Sequence, residues 1–272
     1  MAVLLAPRPR TSTSELLARA AARRGLGVAA SARPGQGIRP GEDVHWYGGP
    51  LAAARITPAL GVGLLEPRDD WLTGLPYELV ARRIRLTTLA AARRLESPAF
   101  VKPPSDKSVP AAVYPSGRAL PGDDGRIGPA TPVLVSEVVG FTDEYRLWIL
   151  DGAVRTGSRY AVHGRLDPGP LTGEAREFAR RLLTLAGPTL PSAVVVDIGR
   201  LRPAEGAPPR APGGGEPGRE WAVVEANMPW FAQCYAAEPE LALDVVLRAA
   251  GPRRLITSRD APFLRMNTEE NP

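Results

Sequence analysis

The chain has 272 residues and is 44% hydrophobic, which is enough to bury one or two substantial cores, so it should fold as one large domain or two. Its single cysteine, Cys234, excludes an intramolecular disulfide, and its two histidines, His45 and His163, leave little material for a zinc-type cluster. The net charge of +5 comes from arginines interspersed with acidic residues and not from one basic block, so no nucleic-acid partner is expected.

The sequence also predicts a cytoplasmic protein with no membrane partner. The apolar run at residues 2–6 is too short for a signal peptide and is followed by Pro7 and Arg8 instead of a cleavage site. No other stretch approaches the length of a membrane span. The oligomeric state cannot be predicted from the sequence.

The first third of the chain predicts a small α/β unit. Residues 3–6 should form a strand, Ser12 or Thr13 should cap a helix that ends at Gly25, and residues 28–30 should form the next strand. A further strand is expected at residues 45–47. A helix is then predicted from about residue 76 to residue 95, because leucine, valine and isoleucine recur there near helical spacing.

From residue 97 onward the pattern changes to short, valine-rich strands. They are predicted at residues 99–102, 133–138, 144–150, 154–160, 194–198 and 221–226. Two helices are predicted between and after them, at residues 174–185 and 239–250, and each is followed by a glycine and a proline.

These changes divide the chain into three predicted segments. Residues 1–97 should form an N-terminal α/β domain, residues 98–252 a second domain, and residues 253–272 a polar, poorly ordered tail. Residues 201–219 are rich in proline and glycine and should form a flexible loop between the last two strands.

The most informative feature is the placement of lysine. The chain has two lysines among 34 basic side chains, Lys102 and Lys107, and both lie in the segment FVKPPSDK. An ammonium group on a flexible stem can reach into a cluster of phosphates, where a planar guanidinium fits less easily. The alternative is a drift of composition towards arginine that left two lysines together by chance.

Oxygen-bearing side chains end two apolar strands. Asp197 follows VVV, and Glu225 and Asn227 lie two apart in VVEAN, so an extended chain projects them from one face. Three such donors suit Mg²⁺, which binds few protein carboxylates and completes its shell with water and phosphate. Taken singly, each residue could equally leave the sheet and meet solvent.

The segment LVSEVVGFTDEYRLWILDG offers further contacts. The backbone after the strand, at Glu137, Val138 and Val139, could give an adenine edge a donor and an acceptor, although apolar residues there are more often core. Glu144 and Arg146 share a strand face, where they could contact ribose and phosphate or simply form a surface ion pair.

In this order, FVKPPSDK, LVSEVVGFTDEYRLWILDG, VVVDIG and VVEAN resemble the ATP-grasp superfamily, and within it the clade named for one arginine and two lysines. The resemblance covers about residues 98–251. It implies an α+β fold, with an ATP-grasp-like pair of α+β subdomains built on largely antiparallel sheets. A small α/β (βαβ) domain would precede them.

The resemblance also implies a role for each candidate residue. Lys102 and Lys107 would bind the phosphates of ATP, Lys107 from the phosphate-covering loop, and Arg146 would be the clade's arginine. The adenine hinge would be Glu137, Val138 and Val139, and Glu144 would contact ribose. The Mg²⁺ ligands would be Asp197, Glu225 and Asn227. The prolines Pro103, Pro104 and Pro110 depart from the usual glycine-rich or serine-rich phosphate loop and stiffen it.

Three functions fit these residues. The first is an ATP- and Mg²⁺-dependent carboxylate–amine ligase that acts through an acyl phosphate, with small-molecule or peptide substrates. The second is an ATP-dependent phosphotransferase that hands phosphate to a hydroxyl. The third is a non-catalytic ATP-binding module, which the proline-stiffened loop would favour.

Overall fold

A computed structural model describes residues 2–6, 11–30, 38–105, 108–125, 127–202 and 220–265 of the chain. The chain begins with a parallel three-stranded sheet in the order β2-β1-β3. Its elements are β1 (Ala2–Leu5), α1 (Ser12–Arg23), β2 (Gly27–Ala29) and β3 (Asp43–Trp46). Helix α1 begins where the side chain of Thr11 accepts a hydrogen bond from the backbone N–H of Ser14, at 3.1 Å. This confirms the predicted βαβ unit, but the predicted cap at Ser12 or Thr13 is wrong, because both residues lie inside the helix and Thr11 caps it.

The next segment contains short elements: α2 (Pro50–Ile56), β4 (Val62–Leu64), α3 (Tyr77–Val80), β5 (Ile84–Thr88) and α4 (Leu89–Ala92). The single helix predicted from about residue 76 to residue 95 is therefore wrong. Helix α3 ends because Ala81 adopts a left-handed conformation, with φ of 48°. The sequence IRLTT of β5 is rich in β-branched residues, which favour an extended strand over a helix.

An antiparallel four-stranded sheet follows, in the order β5-β8-β6-β7. It is completed by β6 (Ala99–Lys102), β7 (Ala112–Tyr114) and β8 (Pro132–Ser136). Strand β5 precedes the predicted domain boundary after residue 97, yet it pairs along its whole length with β8. This sheet therefore begins upstream of the boundary that composition suggested.

A second antiparallel sheet has five strands, in the order β11-β10-β9-β12-β13. Its strands are β9 (Gly140–Leu150), β10 (Ala153–Val162), β11 (Arg165–Pro170), β12 (Ala193–Arg202) and β13 (Trp221–Asn227). Strands β9 and β10 are joined by Asp151 and Gly152, both with positive φ, as the type I′ hairpin turn requires. The predicted loop 201–219 lies outside the described residues except for its first two, which end β12.

Two helices pack beside the five-stranded sheet. Helix α5 (Gly173–Ala186) covers one face, where its Phe178 and Leu182 meet Leu147 and Ile149 of β9. Helix α6 (Pro239–Ala249) and the N-terminal sheet pack on the other face against Trp148. Because side chains alternate along β9, Glu144 and Arg146 lie on the same face as Trp148.

The predicted polar tail is wrong for residues 253–265, which belong to the folded structure. They follow β14 (Ala250–Pro252), which pairs with β4. The carboxylate of Asp260 is buried and accepts hydrogen bonds from the backbone N–H and the hydroxyl of Ser192, at 2.7 and 2.6 Å. Residues 266–272 lie outside the described part of the chain. In the described ranges, every helix is too short or too polar to cross a membrane.

Acid should destabilise the fold through His45, on β3. Its Nδ1 donates to the backbone oxygen of Leu247 at 2.9 Å, and burial lowers its pKa despite that bond and the nearby charge of Asp43. Because the unfolded chain then binds a proton that the folded chain excludes, stability should fall as pH drops below about 6.5. Urea unfolding across this range should show the loss, and His45→Gln should flatten the slope. An equal slope in both proteins would contradict this assignment.

Candidate functional site

A cleft of about 240 Å³ separates the four-stranded sheet from the five-stranded sheet. Strands β5, β6 and β8 supply one wall, with apolar side chains and one ammonium group. Strands β9 and β13 supply the other wall, with two carboxylates. The lining of the cleft includes Ile84, Phe100, Lys102, Leu134, Phe141, Glu144 and Glu225.

The two walls meet in an ion pair. The ammonium of Lys102, at the end of β6, contacts the carboxylate of Glu225 on β13. Their side chains remain 14% and 29% exposed, so both can be reached from the cleft. The structure thus places a predicted phosphate-binding lysine beside a predicted metal ligand, although 123 positions separate them in the chain.

Glu225 is held from its other side by Asn227. The amide nitrogen of Asn227 donates to Oε1 of Glu225 at 2.8 Å and more weakly to Oδ2 of Asp197 at 3.4 Å. The pairing of β12 with β13 sets Asp197 directly opposite Glu225. The three predicted metal ligands therefore do lie together.

Arg146 lies behind this group and is almost completely buried. Its Nε and one terminal nitrogen donate to the two oxygens of Asp197, at 2.8 and 2.7 Å. Its guanidinium carbon lies 5.5 Å from the ring centre of Tyr160 and 5.2 Å from that of Tyr235. This bidentate and aromatic setting fixes the guanidinium in one orientation.

Burial and charge shift the ionisation of the site. Burial alone would raise the pKa of Glu225, but the ammonium of Lys102 and the amide of Asn227 outweigh it and lower the pKa. Burial alone would lower the pKa of Arg146, but Asp197 reverses the effect and raises it. Glu144 differs: burial raises its pKa despite a hydrogen bond from the hydroxyl of Tyr160, at 2.8 Å.

The predicted adenine hinge follows β8 at the rim of the cleft. Glu137 and Val139 line the cleft, whereas the side chain of Val138 is 44% exposed and is not part of the lining. The backbone N–H of Glu137 already donates to the oxygen of Arg83, at 3.1 Å. A base at this position would therefore meet other backbone groups of the hinge. Glu144 lines the same cleft, as a ribose contact would.

One predicted site residue is not described by the structure, and three residues of the site were not predicted from the sequence. Lys107 lies outside the described residues, so its predicted role stays a prediction. Tyr160 and Tyr235 flank Arg146, and Arg82 lines the cleft. Arg82 fell within the wrongly predicted helix. Tyr235 carries a backbone strain, with φ of 51°, that no sequence pattern announces.

The three predicted Mg²⁺ ligands differ in how free their oxygen atoms are to bind a metal. Glu225 faces the cleft, and Asn227 uses its amide nitrogen for hydrogen bonds, which leaves its amide oxygen for a metal. Asp197 is 1% exposed, and both its oxygens accept from Arg146, so its role as a ligand stays a prediction. Among the described residues, no group of three or more histidine, cysteine, aspartate or glutamate side chains could hold a metal ion.

Two α+β halves that face each other across a cleft, one supplying a lysine and the other carboxylates, define an ATP-grasp domain. The model of the ATP-grasp domain for family 2 of the clade named for one arginine and two lysines matches residues 79–245. The chain therefore belongs to this family. Membership confirms the predicted fold class and the prediction of an ATP-grasp-type enzyme. The match begins before β5, in agreement with the sheet topology.

Solved structures similar to this chain include the ATP-grasp ligase PsnB with precursor peptide PsnA2 and AMPPNP, at 16% identity and a TM-score of 0.44, covering 90% of this chain and 96% of that one. The macrocyclase MdnC with precursor peptide MdnA from Microcystis aeruginosa MRC has 12% identity and a TM-score of 0.45, with coverages of 92% and 99%. A Chryseobacterium gregarium RiPP-associated ATP-grasp ligase with ADP and a leader and core peptide has 10% identity and a TM-score of 0.45, with coverages of 95% and 98%. No curated protein matches the chain.

Proposed function

We propose that the protein is an ATP- and Mg²⁺-dependent carboxylate–amine ligase that acts through an acyl phosphate, on a small-molecule or peptide carboxylate. The observation that supports this proposal is the meeting of Lys102 and Glu225 across the cleft. The same two groups would serve the phosphates and the metal of a bound nucleotide.

The cleft offers a place for each part of ATP. Ile84, Phe100 and Leu134 on one wall and Phe141 on the other give an apolar slot for the base. Backbone groups between Glu137 and Val139 would contact its edge, and Glu144 would accept hydrogen bonds from the ribose hydroxyls.

Lys102 and Glu225 would each have a partner of opposite charge both in the free protein and in the nucleotide complex. Each partner neutralises the other in the free protein, because an unpaired charge in this half-buried place would be costly. When ATP and Mg²⁺ bind, the ammonium can turn to the phosphates and the carboxylate to the metal. Mg²⁺ held by Glu225 and Asn227, with Asp197 as the third predicted ligand, would neutralise phosphate charge.

The chemistry then needs positioning more than covalent help. A carboxylate oxygen of the substrate attacks the γ-phosphorus, the bond to the β–γ bridging oxygen breaks, and ADP leaves. An amine next attacks the acyl carbon, phosphate leaves with the attacking carboxylate oxygen, and the amine loses a proton as the amide forms. Lys102, Arg146 and, as predicted, Lys107 would supply the positive charge around the transferred group.

Labelling the substrate carboxylate with heavy oxygen tests whether the reaction passes through an acyl phosphate. A candidate carboxylate substrate labelled with heavy oxygen should pass one labelled oxygen to inorganic phosphate, and hydroxylamine should trap the acyl phosphate as a hydroxamate. Peptides with free carboxylates and small carboxylic acids should be tested side by side with amines. A stable phosphorylated product without any need for an amine would indicate the phosphotransferase instead. Tight ATP binding with no ADP across all acceptors would overturn both enzymatic readings.

A further inference from the structure

Strand β13 contains an irregularity immediately before the proposed metal ligands. Ile198 pairs with Val223 and Asp197 pairs with Glu225, so Val224 is an extra residue in β13, which makes a β-bulge. Trp221 and Val223 pack in the core beneath α5. In a regular strand, Glu225 would share their face, because side chains two apart point the same way.

The bulge therefore turns Glu225 and Asn227 to the face that bears Asp197. A shift of one residue in a strand moves every following side chain to the opposite face. Without the bulge, both proposed ligands would point into the core under α5 instead of into the cleft. The position of Glu225 beside Lys102 depends on this one extra residue.

Arg82 binds the bulge directly. One of its terminal nitrogens donates to the backbone oxygens of Val80 and Val223, at 2.9 and 2.8 Å, and the other donates to the oxygen of Val224, at 3.1 Å. In a regular strand two consecutive carbonyls point in opposite directions, so their convergence on one guanidinium is a property of the bulge. Strand β13 lies at the edge of its sheet, and Arg82 occupies that edge.

Burying the charged guanidinium of Arg82 costs free energy, which favours a specific role for this residue. It is 6% exposed, its hydrogen-bond partners within the described part of the chain are these carbonyls and no carboxylate, and burial lowers its pKa to about 10. The residue before it, Ala81, adopts a left-handed conformation that brings Arg82 to the strand edge. Its guanidinium also lies 5.7 Å from the ring centre of Phe141, across the cleft wall.

We propose that Arg82 is a positioning residue, which holds the bulge at Val224 and thereby presents Glu225 and Asn227 to the metal of the nucleotide complex. This inference rests on the proposed function, because it uses the assignment of Glu225 as a metal ligand. It predicts that Arg82 controls metal affinity and leaves the affinity for metal-free nucleotide almost unchanged.

The test is a titration with Mn²⁺, followed by electron paramagnetic resonance, of the full chain saturated with AMPPNP. Arg82→Met should weaken Mn²⁺ binding by about 10–100-fold, the usual effect of losing a residue that orients a metal ligand. Binding of AMPPNP without metal should change by less than about threefold, and Arg82→Lys should recover part of the Mn²⁺ affinity. Arg85→Met, an exposed arginine on β5, is the matched control and should bind Mn²⁺ like the wild type.

Three outcomes would overturn the inference. They are wild-type Mn²⁺ affinity in Arg82→Met, wild-type affinity in Arg82→Lys if the methionine variant fails to fold, and an equal loss of metal-free AMPPNP binding. The last would make Arg82 a direct nucleotide contact. Glu225→Gln separates this inference from the proposed function. If that variant keeps full Mn²⁺ affinity, the metal assignment itself is wrong; if it loses affinity while the Arg82 variants keep theirs, only the role of Arg82 is wrong.

Discussion

Replacing Lys102 with alanine is expected to reduce kcat/KM for ATP turnover at least about a hundredfold, the usual cost of removing one preorganised group that stabilises developing charge. The change removes the cation that would face the phosphates and that pairs with Glu225 in the free protein. Initial rates of ADP formation at several ATP concentrations would measure the loss.

A control variant shows whether any loss of turnover comes from removing a positive charge anywhere on the protein or from removing the contact that Lys102 makes in the cleft. Arg165→Ala removes one exposed positive charge from β11, at the far edge of the five-stranded sheet, and should turn over ATP like the wild type. Unfolding midpoints should show that the Lys102 variant is folded. Unchanged turnover in folded Lys102→Ala would remove this lysine from the site.

Asp197→Asn should lower the free energy of unfolding by about 3–5 kcal/mol, because it leaves the buried guanidinium of Arg146 without its carboxylate. The same variant should lose ATP turnover, since Arg146 would no longer be fixed between Tyr160 and Tyr235. Urea unfolding and ADP formation measure the two effects independently.

An exposed pair of the same geometry serves as the control. Arg68 also donates two hydrogen bonds to the two oxygens of Asp70, at 2.9 and 3.0 Å, but both side chains are largely exposed to solvent. Asp70→Asn should leave the urea midpoint close to that of the wild type, because exposed ion pairs contribute little. Equal effects at positions 70 and 197 would show that the burial of Arg146 has no energetic consequence.

Much of this fold could be predicted from local pattern. Strand β6 is bounded by prolines, strand β12 has a run of valines near its start, and helix α5 has a clear apolar stripe, so the local pattern predicts the position of each within a few residues. The order of the segments around Lys102, Arg146 and Asp197 was enough to indicate the family. These features follow from the local sequence of each segment and do not require contacts with the rest of the chain.

The features that the sequence did not predict depend on contacts between segments that are far apart in the chain. Strand β5 has apolar residues at spacings that suit a helix as well as a strand, and its pairing with β8 adds to the strand preference of its β-branched residues. Strand regularity predicted that Glu225 and Asn227 share a face, which is true. It could not reveal that the bulge at Val224 turns that face towards the site, because Arg82 holds the bulge from 142 positions away.

The central claim is that ATP binds with Mg²⁺ in the cleft between the two sheets, where Lys102 and Glu225 meet. The most direct measurement is the thermal unfolding midpoint with ATP, GTP or NAD, each with and without Mg²⁺. ATP with Mg²⁺ at about a hundred times its Kd should raise the midpoint by about 5–10 °C, and neither GTP nor NAD should do so. A midpoint that does not respond to ATP, or that responds without regard to Mg²⁺ or to the base, would contradict the account.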